Sequence, residues 1–335
     1  MTSMQDVADR AKVSVSTVSH VINETRFVSE EKRTRVFAAM KALNYHPNLL
    51  ASSLRRKDKS TKTVGLLIPD SSNPFFAEIL RGAEDAAFQA GYNIFLCNSD
   101  NSPEKEIQYI NALASKQIDG IILVSSGTTA SLDQLSQKEI PTVVVDRELG
   151  ETTDSVTVEN ALGGEIATEY LLGLGHQRIG CIMGRSTITP SAKRAQGYRQ
   201  ALQSARLPID EQLTCQGSFD PQSGYQCARK LLALPDPPTA IFVCNDMMAI
   251  GAIRAANDLN YRVPDELSII GFDNISLASY TTPPLTTIAQ PSYEMGFLAA
   301  EFLSQRLEDA TLPSQQKIFM PFLVERDSCK KITAR

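Results

Sequence analysis

Residues 4–23 read MQDVADRAKVSVSTVSHVIN, and this stretch decides how the N-terminal part of the chain folds. Met4, Val7, Ala8 and Ala11 fall at i, i+3, i+4 and i+7, the spacing of one apolar helix face. The pattern breaks at Lys12 and Val13. Ser14 stands where an N-cap belongs, and Val18, Val21 and Ile22 restore the helical spacing. Two short helices this close together, polar outside, predict a helix-turn-helix, a unit that lays its second helix in a DNA major groove. A third helix is expected after an N-cap at Ser29. Glu30 and Glu31 occupy its first turn, where negative charge suits the helix dipole. Val36, Met40 and Leu43 form its inner face, and Pro47 ends it.

Working outward, residues 48–57 read NLLASSLRRK. Leu50 and Leu54 share a face, and the segment ends in a basic cluster. A helix of roughly eight residues is not stable alone in water. It needs a partner, either its own copy or DNA. Residues 58–62 are polar and read as a linker.

Composition narrows the class. A chain of 335 residues with 42% hydrophobic and 21% charged residues describes a globular protein of more than one domain. No uninterrupted apolar run reaches the roughly 18 residues that span a bilayer. Met1 to Asp9 carries no basic and apolar leader, so no secretory signal and a cytoplasmic location are expected. The six cysteines (Cys97, Cys181, Cys215, Cys227, Cys244, Cys329) include no C-x-x-C pair. Buried reduced thiols are expected rather than a disulfide framework or a metal site. Charge is uneven: residues 1–62 carry twelve Lys/Arg against six Asp/Glu, and the remainder 21 against 32. A basic head on an acidic body implies that only the head meets a polyanion.

From Thr63 onward strand-like and helical patterns alternate. Strands are expected at 64–68, 93–97, 120–124, 142–145, 178–183, 240–244, 267–271 and 286–289. Amphipathic helices are expected at 75–90, 104–115, 161–174, 191–205, 223–234, 247–260 and 293–307. This alternation predicts parallel sheets with helices on both faces, arranged as two similar doubly wound α/β lobes. In such sheets ligands bind beyond the carboxyl ends of the strands. There stand Asn73, Phe75, Phe76, Asp146, Arg147, Asn245 with Asp246, Asp273 and Gln290, together with Arg194 near a helix start and Phe219 in a loop. Carboxylates, amides and an arginine suit vicinal hydroxyls, and aromatic rings cover the apolar face of a sugar, so a polyol site between two lobes is expected. Taken singly, Asn73 also reads as a turn residue, Asp273 as a helix cap, and the phenylalanines as core.

Enzyme signatures are missing: there is no G-x-G-x-x-G after a strand, no Walker A, no H-E-x-x-H and no G-x-S-x-G. His20, His46 and His176 lie too far apart in this scheme for a metal or catalytic cluster. No cofactor and no metal are expected.

Asp6-Val7-Ala8, Val13-Ser14, Thr17 to Asn23 and Leu43-Asn44-Tyr45 together resemble the DNA-binding head of the lactose/galactose repressor family. The resemblance runs to Glu325-Arg326. Within the family, His20 with Arg26-Phe27-Val28 resembles the purine and ribose repressors. The pocket set, with 161–164 and Gln290-Pro291, resembles the ribose repressors and ribose-binding proteins. This implies an all-α helix-turn-helix domain (1–46), a hinge helix and linker (47–62) and a periplasmic-binding-protein-like core (63–335). The N-lobe would hold about 63–160 and 292–321, and the C-lobe about 161–291 and 322–335. Val15, Ser16 and His20 would face base edges; Ser14, Thr17 and Ser19 would hold phosphates; Asn23 and Arg26 would complete the surface. Val15, three residues before Val18, also suits the core. Leu54 would wedge between bases in the minor groove with Arg55 beside it. Ser52 departs from the arginine frequent in the relatives. The short C-terminal tail, without leucine heptads, implies a homodimer reading a near-palindromic operator. The implied function is a repressor released from DNA by a sugar, ribose or a relative. Rival readings are a co-repressor (a small molecule or phosphoprotein), a transport-type sugar-binding protein, and a sugar enzyme.

Overall fold

The computed structural model describes residues 2–23, 25–45, 60–124, 129–147 and 153–332. The predicted hinge helix, with Leu54 and Arg55, lies outside them, as does the side chain of Asn23. The chain divides into two compact units, Met1–Thr61 and Lys62–Arg335.

The first unit contains α1 (Met4–Ala11), α2 (Val15–Asn23) and α3 (Glu30–Ala42). Ser3 and Asp6 form a capping box, each side chain taking the other's backbone N–H. Lys12 leaves α1 in the left-handed region at φ 52°, which makes the break read from the sequence. Val7, Ala8, Ala11, Val18, Val21, Val36 and Ala39 close a small core. Ser29 precedes α3 but makes no side-chain cap bond, so Glu30 and Glu31 alone complement that helix end.

The second unit begins with strands β1 (Thr63–Ile68), β2 (Asn93–Asn98), β3 (Gly120–Leu123), β4 (Thr142–Val145) and β5 (Asp154–Val158). Helices α4 (Pro74–Gln89), α5 (Pro103–Ser115) and α6 (Ala130–Gln137) alternate with the first four. The chain then crosses to a second lobe: α7 (Asn160–Gly173), β6 (Ile179–Met183), α8 (Thr189–Ser204), β7 (Thr214–Gln216), α9 (Pro221–Leu232), β8 (Ala240–Val243), α10 (Asp246–Asp258), β9 (Ser268–Asp273) and β10 (Thr286–Ala289). It returns with α11 (Ser292–Glu308) and β11 (Gln316–Phe319), and crosses a last time to β12 (Phe322–Val324). The two six-stranded sheets run β11-β5-β4-β3-β1-β2 and β12-β10-β9-β8-β6-β7. All pairings are parallel except β12 against β10. This is the two-lobed, doubly wound core expected from the alternating pattern.

Among the described residues, four strands and one helix escaped the sequence reading. β5 (DSVTV), β7 (TCQ) and β11 (QKIF) interrupt their apolar residues with polar ones and β12 has only three residues, so none shows a sustained apolar run. In α6 only Leu132 and Leu135 are large and apolar. The thiol expectation also needs correction. Cys215 on β7 and Cys227 on α9 are joined as a disulfide, with Cα atoms 5.6 Å apart. The β7–α9 turn brings them together, a proximity no C-x-x-C spacing signals. Cys97, Cys181, Cys244 and Cys329 are free.

Three helix pairs lean on reciprocal glycines. A Cβ at Gly164 would lie 2.0 Å from the Arg194 carbonyl, and one at Gly197 1.9 Å from that of Ala161. Gly82 and Gly296 do the same for α4 and α11, and Gly224 and Gly251 for α9 and α10. Backbone therefore meets backbone at each crossing, and α8 is held close enough to α7 for Arg194 to reach its first residue. Gly164→Ala should cost roughly 1–3 kcal/mol because the atoms it meets are main chain. Gly173→Ala, where a Cβ meets nothing within 4 Å, should be neutral or slightly stabilising. Urea unfolding of both variants measures the difference; equal midpoints would mean that the helices part without cost.

Candidate functional site

The carboxyl ends of strands from both lobes converge on one cavity of about 500 Å3, counting space open to solvent. Nine of the eleven residues expected there line it: Asn73, Phe75, Phe76, Asp146, Arg147, Arg194, Phe219, Asn245 and Asp273. Gln290 stands behind, donating from Nε2 to Asp273 Oδ1 at 2.7 Å. Asp246 does not reach the cavity. It is buried, accepting from the Thr287 hydroxyl at 2.6 Å and the Ile275 N–H at 2.9 Å. Asp70, Asn101, Ile188, Pro190 and Ser218 also line the cavity and were missed. Asp70 and Asn101 follow the ends of β1 and β2, so the strand-end rule, applied to every strand, reaches both.

Local structure explains the placement. Asn73 caps α4, its Oδ1 accepting from the Phe75 N–H at 3.0 Å, with Pro74 suited to the first helical turn. The turn reading of Asn73 and the site reading therefore coexist. Phe75 and Phe76 meet edge to face at 5.1 Å and are at once core and cavity wall. Asn245 caps α10 by accepting from the Met248 N–H at 3.0 Å, and donates from Nδ2 to the Phe219 carbonyl at 3.1 Å. Asp273 is no helix cap. Its Oδ1 takes Arg194 Nη1 at 3.2 Å as well as Gln290.

Arg194 engages several partners at once. Its Nε donates to Asn160 Oδ1 at 2.7 Å and its Nη1 to the Cys244 carbonyl at 2.7 Å. Its guanidinium lies 3.8 Å over the Phe272 ring. Across the cavity Arg147 pairs with Asp146. Asp146 Oδ1 and Gln290 Oε1 are buried acceptors without a partner. Asp146, Phe219 and Asp273 adopt φ values of 63°, 71° and 113°. Left-handed backbone at three non-glycine residues of one cavity is strain of the kind that gathers at binding sites.

In the head, Ser14 Oγ accepts from the Thr17 N–H at 3.1 Å and lies 2.8 Å from both the Ser16 and Thr17 hydroxyls. It is the N-cap read from the sequence. Val15 is half-buried against the head core. Ser16 and Arg26 are exposed, and Thr17, Ser19 and His20 are partly so. His20 Nδ1 meets the Thr25 hydroxyl at 2.8 Å.

Comparison with known proteins matches residues 3–48 to the bacterial regulatory proteins of the lacI family. Residues 168–329 match the periplasmic binding protein-like domain. The ribose operon repressor of Escherichia coli (strain K12) is 41% identical over 98% of this chain and 100% of its own. The HTH-type transcriptional repressor PurR of Haemophilus influenzae (strain PittEE) is 40% identical over 99% of this chain and 100% of its own. The lac repressor dimer bound to operator and the anti-inducer ONPF superposes with a TM-score of 0.87, at 26% identity, over 98% of this chain and 99% of its own.

The chain belongs to the LacI family. It is a transcriptional repressor with a DNA-binding helix-turn-helix head and a periplasmic-binding-like core. Among the described residues no helix is long and apolar enough to cross a membrane.

Charge in this LacI-family core is tightly confined. Burial pushes Arg147 down; Asp146 opposes that shift and Arg194 adds to it. Burial raises the Asp273 carboxyl to about 7; Arg194 pulls it back, Asp146 pushes it further up, and Gln290 holds it down. Burial and the Asp273 charge raise Asp246 as well. A raised acid binds its proton more tightly in the folded state than in the unfolded one. The stability it contributes is therefore present below about pH 4 and lost as pH rises through about 7. Asp273→Asn should flatten the fall in stability of the ligand-free protein between about pH 4 and 7. Urea unfolding across that range tests it; an unchanged slope would place the titration elsewhere.

Proposed function

We propose that this repressor is released from its operator by a small sugar, ribose or a close relative. The observation that carries the reading is the cavity's chemistry. Two arginines and three aspartates nearly cancel, aromatic rings line the cavity, and the buried Asp146 Oδ1 on its wall lacks a donor. Such a site wants a neutral ligand that donates several hydrogen bonds beside an apolar face. The likeness to the ribose operon repressor supports the same choice.

In this reading residues 1–46 are the DNA-binding domain, 47–62 the hinge and 63–335 the effector core. Ser16 and His20 read base edges, Val15 reaches a thymine methyl only at the edge of its packing, Ser14, Thr17 and Ser19 steady the phosphates, and Asn23 and Arg26 complete the DNA-facing surface. Leu54 and Arg55 clamp the minor groove when two hinges pair. The working form is a cytoplasmic homodimer on a two-fold operator, as its likeness to the lac repressor dimer supports. The chain performs no catalysis.

Switching follows from linkage. Arg194 holds Asn160, at the first crossing between lobes, and Asp273, which in turn holds Gln290 at the second. A sugar on this chain of bonds favours one lobe arrangement, the paired hinges separate, and a helix too short to stand alone melts. A coupling of roughly 1–3 kcal/mol corresponds to a 5–150-fold change in operator affinity. The PurR likeness favours a second reading, in which the effector is a co-repressor. The two differ in sign: an inducer lowers operator affinity and a co-repressor raises it.

Calorimetry with D-ribose, followed by operator titration with and without it, decides the matter. Arg194→Lys should weaken ribose binding at least about tenfold, since a point charge replaces a planar fork, and leave operator affinity intact without sugar. Leu54→Ala should weaken operator binding and spare ribose. Operator affinity indifferent to pentoses and hexoses alike would sink the inducer reading.

A further inference from the structure

β7 is an edge strand of the second-lobe sheet, and Cys215, its middle residue, is half-buried. Cys227 lies in α9 and is only 3% exposed. The segment between them carries Ser218 and Phe219, both lining the cavity. Phe219 is held at a left-handed φ of 71°. Its ring lies so close to Gly184 that a Cβ there would meet it at 2.1 Å. The Ser218 N–H donates to Ser223 Oγ at 3.0 Å, and Asp220 caps α9 by accepting from the Ser223 N–H at 2.8 Å. The position of Phe219 thus depends on how β7 sits against the first turns of α9, and the Cys215–Cys227 bond joins those two elements.

In a reducing compartment a disulfide is most often transient and redox-sensing. We propose that Cys215 and Cys227 are a reversible thiol–disulfide pair, oxidised by hydrogen peroxide, that sets Phe219 in the cavity and tunes effector affinity to redox state. The tuning half rests on the effector-site reading above. The Cys215 thiolate, the more accessible, attacks the peroxide oxygen. The O–O bond breaks, an S–O bond forms, and water leaves once the departing oxygen is protonated. The Cys227 thiolate then attacks the Cys215 sulfur, the S–S bond forms, and a second water leaves. Two thiols lose two electrons and two protons, and one peroxide becomes two waters. A dithiol reverses the reaction by exchange. Cys97, Cys181 and Cys329 are poor competitors: burial raises Cys97 and Cys181 and pushes Cys329 up to about 12, so the reactive thiolate is scarce there, and Cys244 is fully buried.

The test uses the full chain, reduced with dithiothreitol, then treated with hydrogen peroxide, alkylated and mapped by mass spectrometry without reduction. A linked Cys215–Cys227 peptide pair is expected, lost again on return to dithiothreitol. Hydrogen exchange at residues 217–220 should slow in the oxidised form. D-ribose should bind the oxidised form roughly 2- to 10-fold more tightly, the gain from pre-ordering one side chain and its loop. Cys215→Ser and Cys227→Ala should each abolish all three differences. No linked peptide, a bond that dithiothreitol cannot open, or identical exchange in both forms overturns the switch. Altered exchange with equal ribose affinity overturns the tuning. If ribose binds neither form, the ribose reading fails by itself, and mapping and exchange still decide the thiol pair.

Discussion

The buried ion pair between Arg194 and Asp273 organises the core. A guanidinium and a carboxylate, each about 4% exposed, are costly to take out of water unless every remaining donor and acceptor finds a partner. Arg194 offsets that cost by reaching into three elements: α7 through Asn160, the β8 end through the Cys244 carbonyl, and β9 through Asp273 and the Phe272 face. Few side chains could do this. Lysine lacks the planar fork, and a shorter residue would not span from α8 to the strand ends. The glycine crossing of α7 and α8 is a precondition, since a wider helix separation carries Arg194 Nε away from Asn160.

This pair sits where the lobes are joined. Asn160 follows β5 at the first crossing, and its Nδ2 also donates to the Val158 carbonyl at 3.0 Å. Gln290 follows β10 at the second. The third crossing, between β11 and β12, lies beside the other two: the Glu159 N–H donates to the Phe319 carbonyl at 3.0 Å, and Phe322 pairs with Ala289. Three strands of chain therefore run together next to one charged network. A ligand that bonds to that network acts on the joint between lobes as well as on the cavity wall, which is the geometry an allosteric core requires.

The sequence disclosed the fold where periodicity was strong and the site where chemistry was concentrated at strand ends. Val64 to Ile68 and Ala240 to Cys244 are continuous apolar runs, and both are central, fully buried strands. β11 and β12 sit at sheet edges, where a short strand needs little apolar surface, and so leave almost no pattern. Asp246 misled because it follows a strand end as Asn245 does. Which of two adjacent polar residues faces the cavity and which turns under the sheet depends on the cap that Asn245 makes, a detail below the resolution of spacing. Cys215 and Cys227 were illegible for a related reason: their approach depends on how one turn folds back.

The same feature that stabilises the pair also leaves it poised. Asp273 titrates near 7 because burial outweighs Arg194, so near neutral pH the carboxyl changes charge at small free-energy cost. A hydroxyl donating to it favours the ionised form, and closure around a ligand strengthens every electrostatic contact by excluding water. Asp146 pushes that titration up from across the cavity, so any motion that changes the distance between lobes also changes the charge state that the ligand meets. Lobe position and the protonation of Asp273 are thus coupled through two aspartates. An aspartate held far below neutrality by full ion pairing would have separated them.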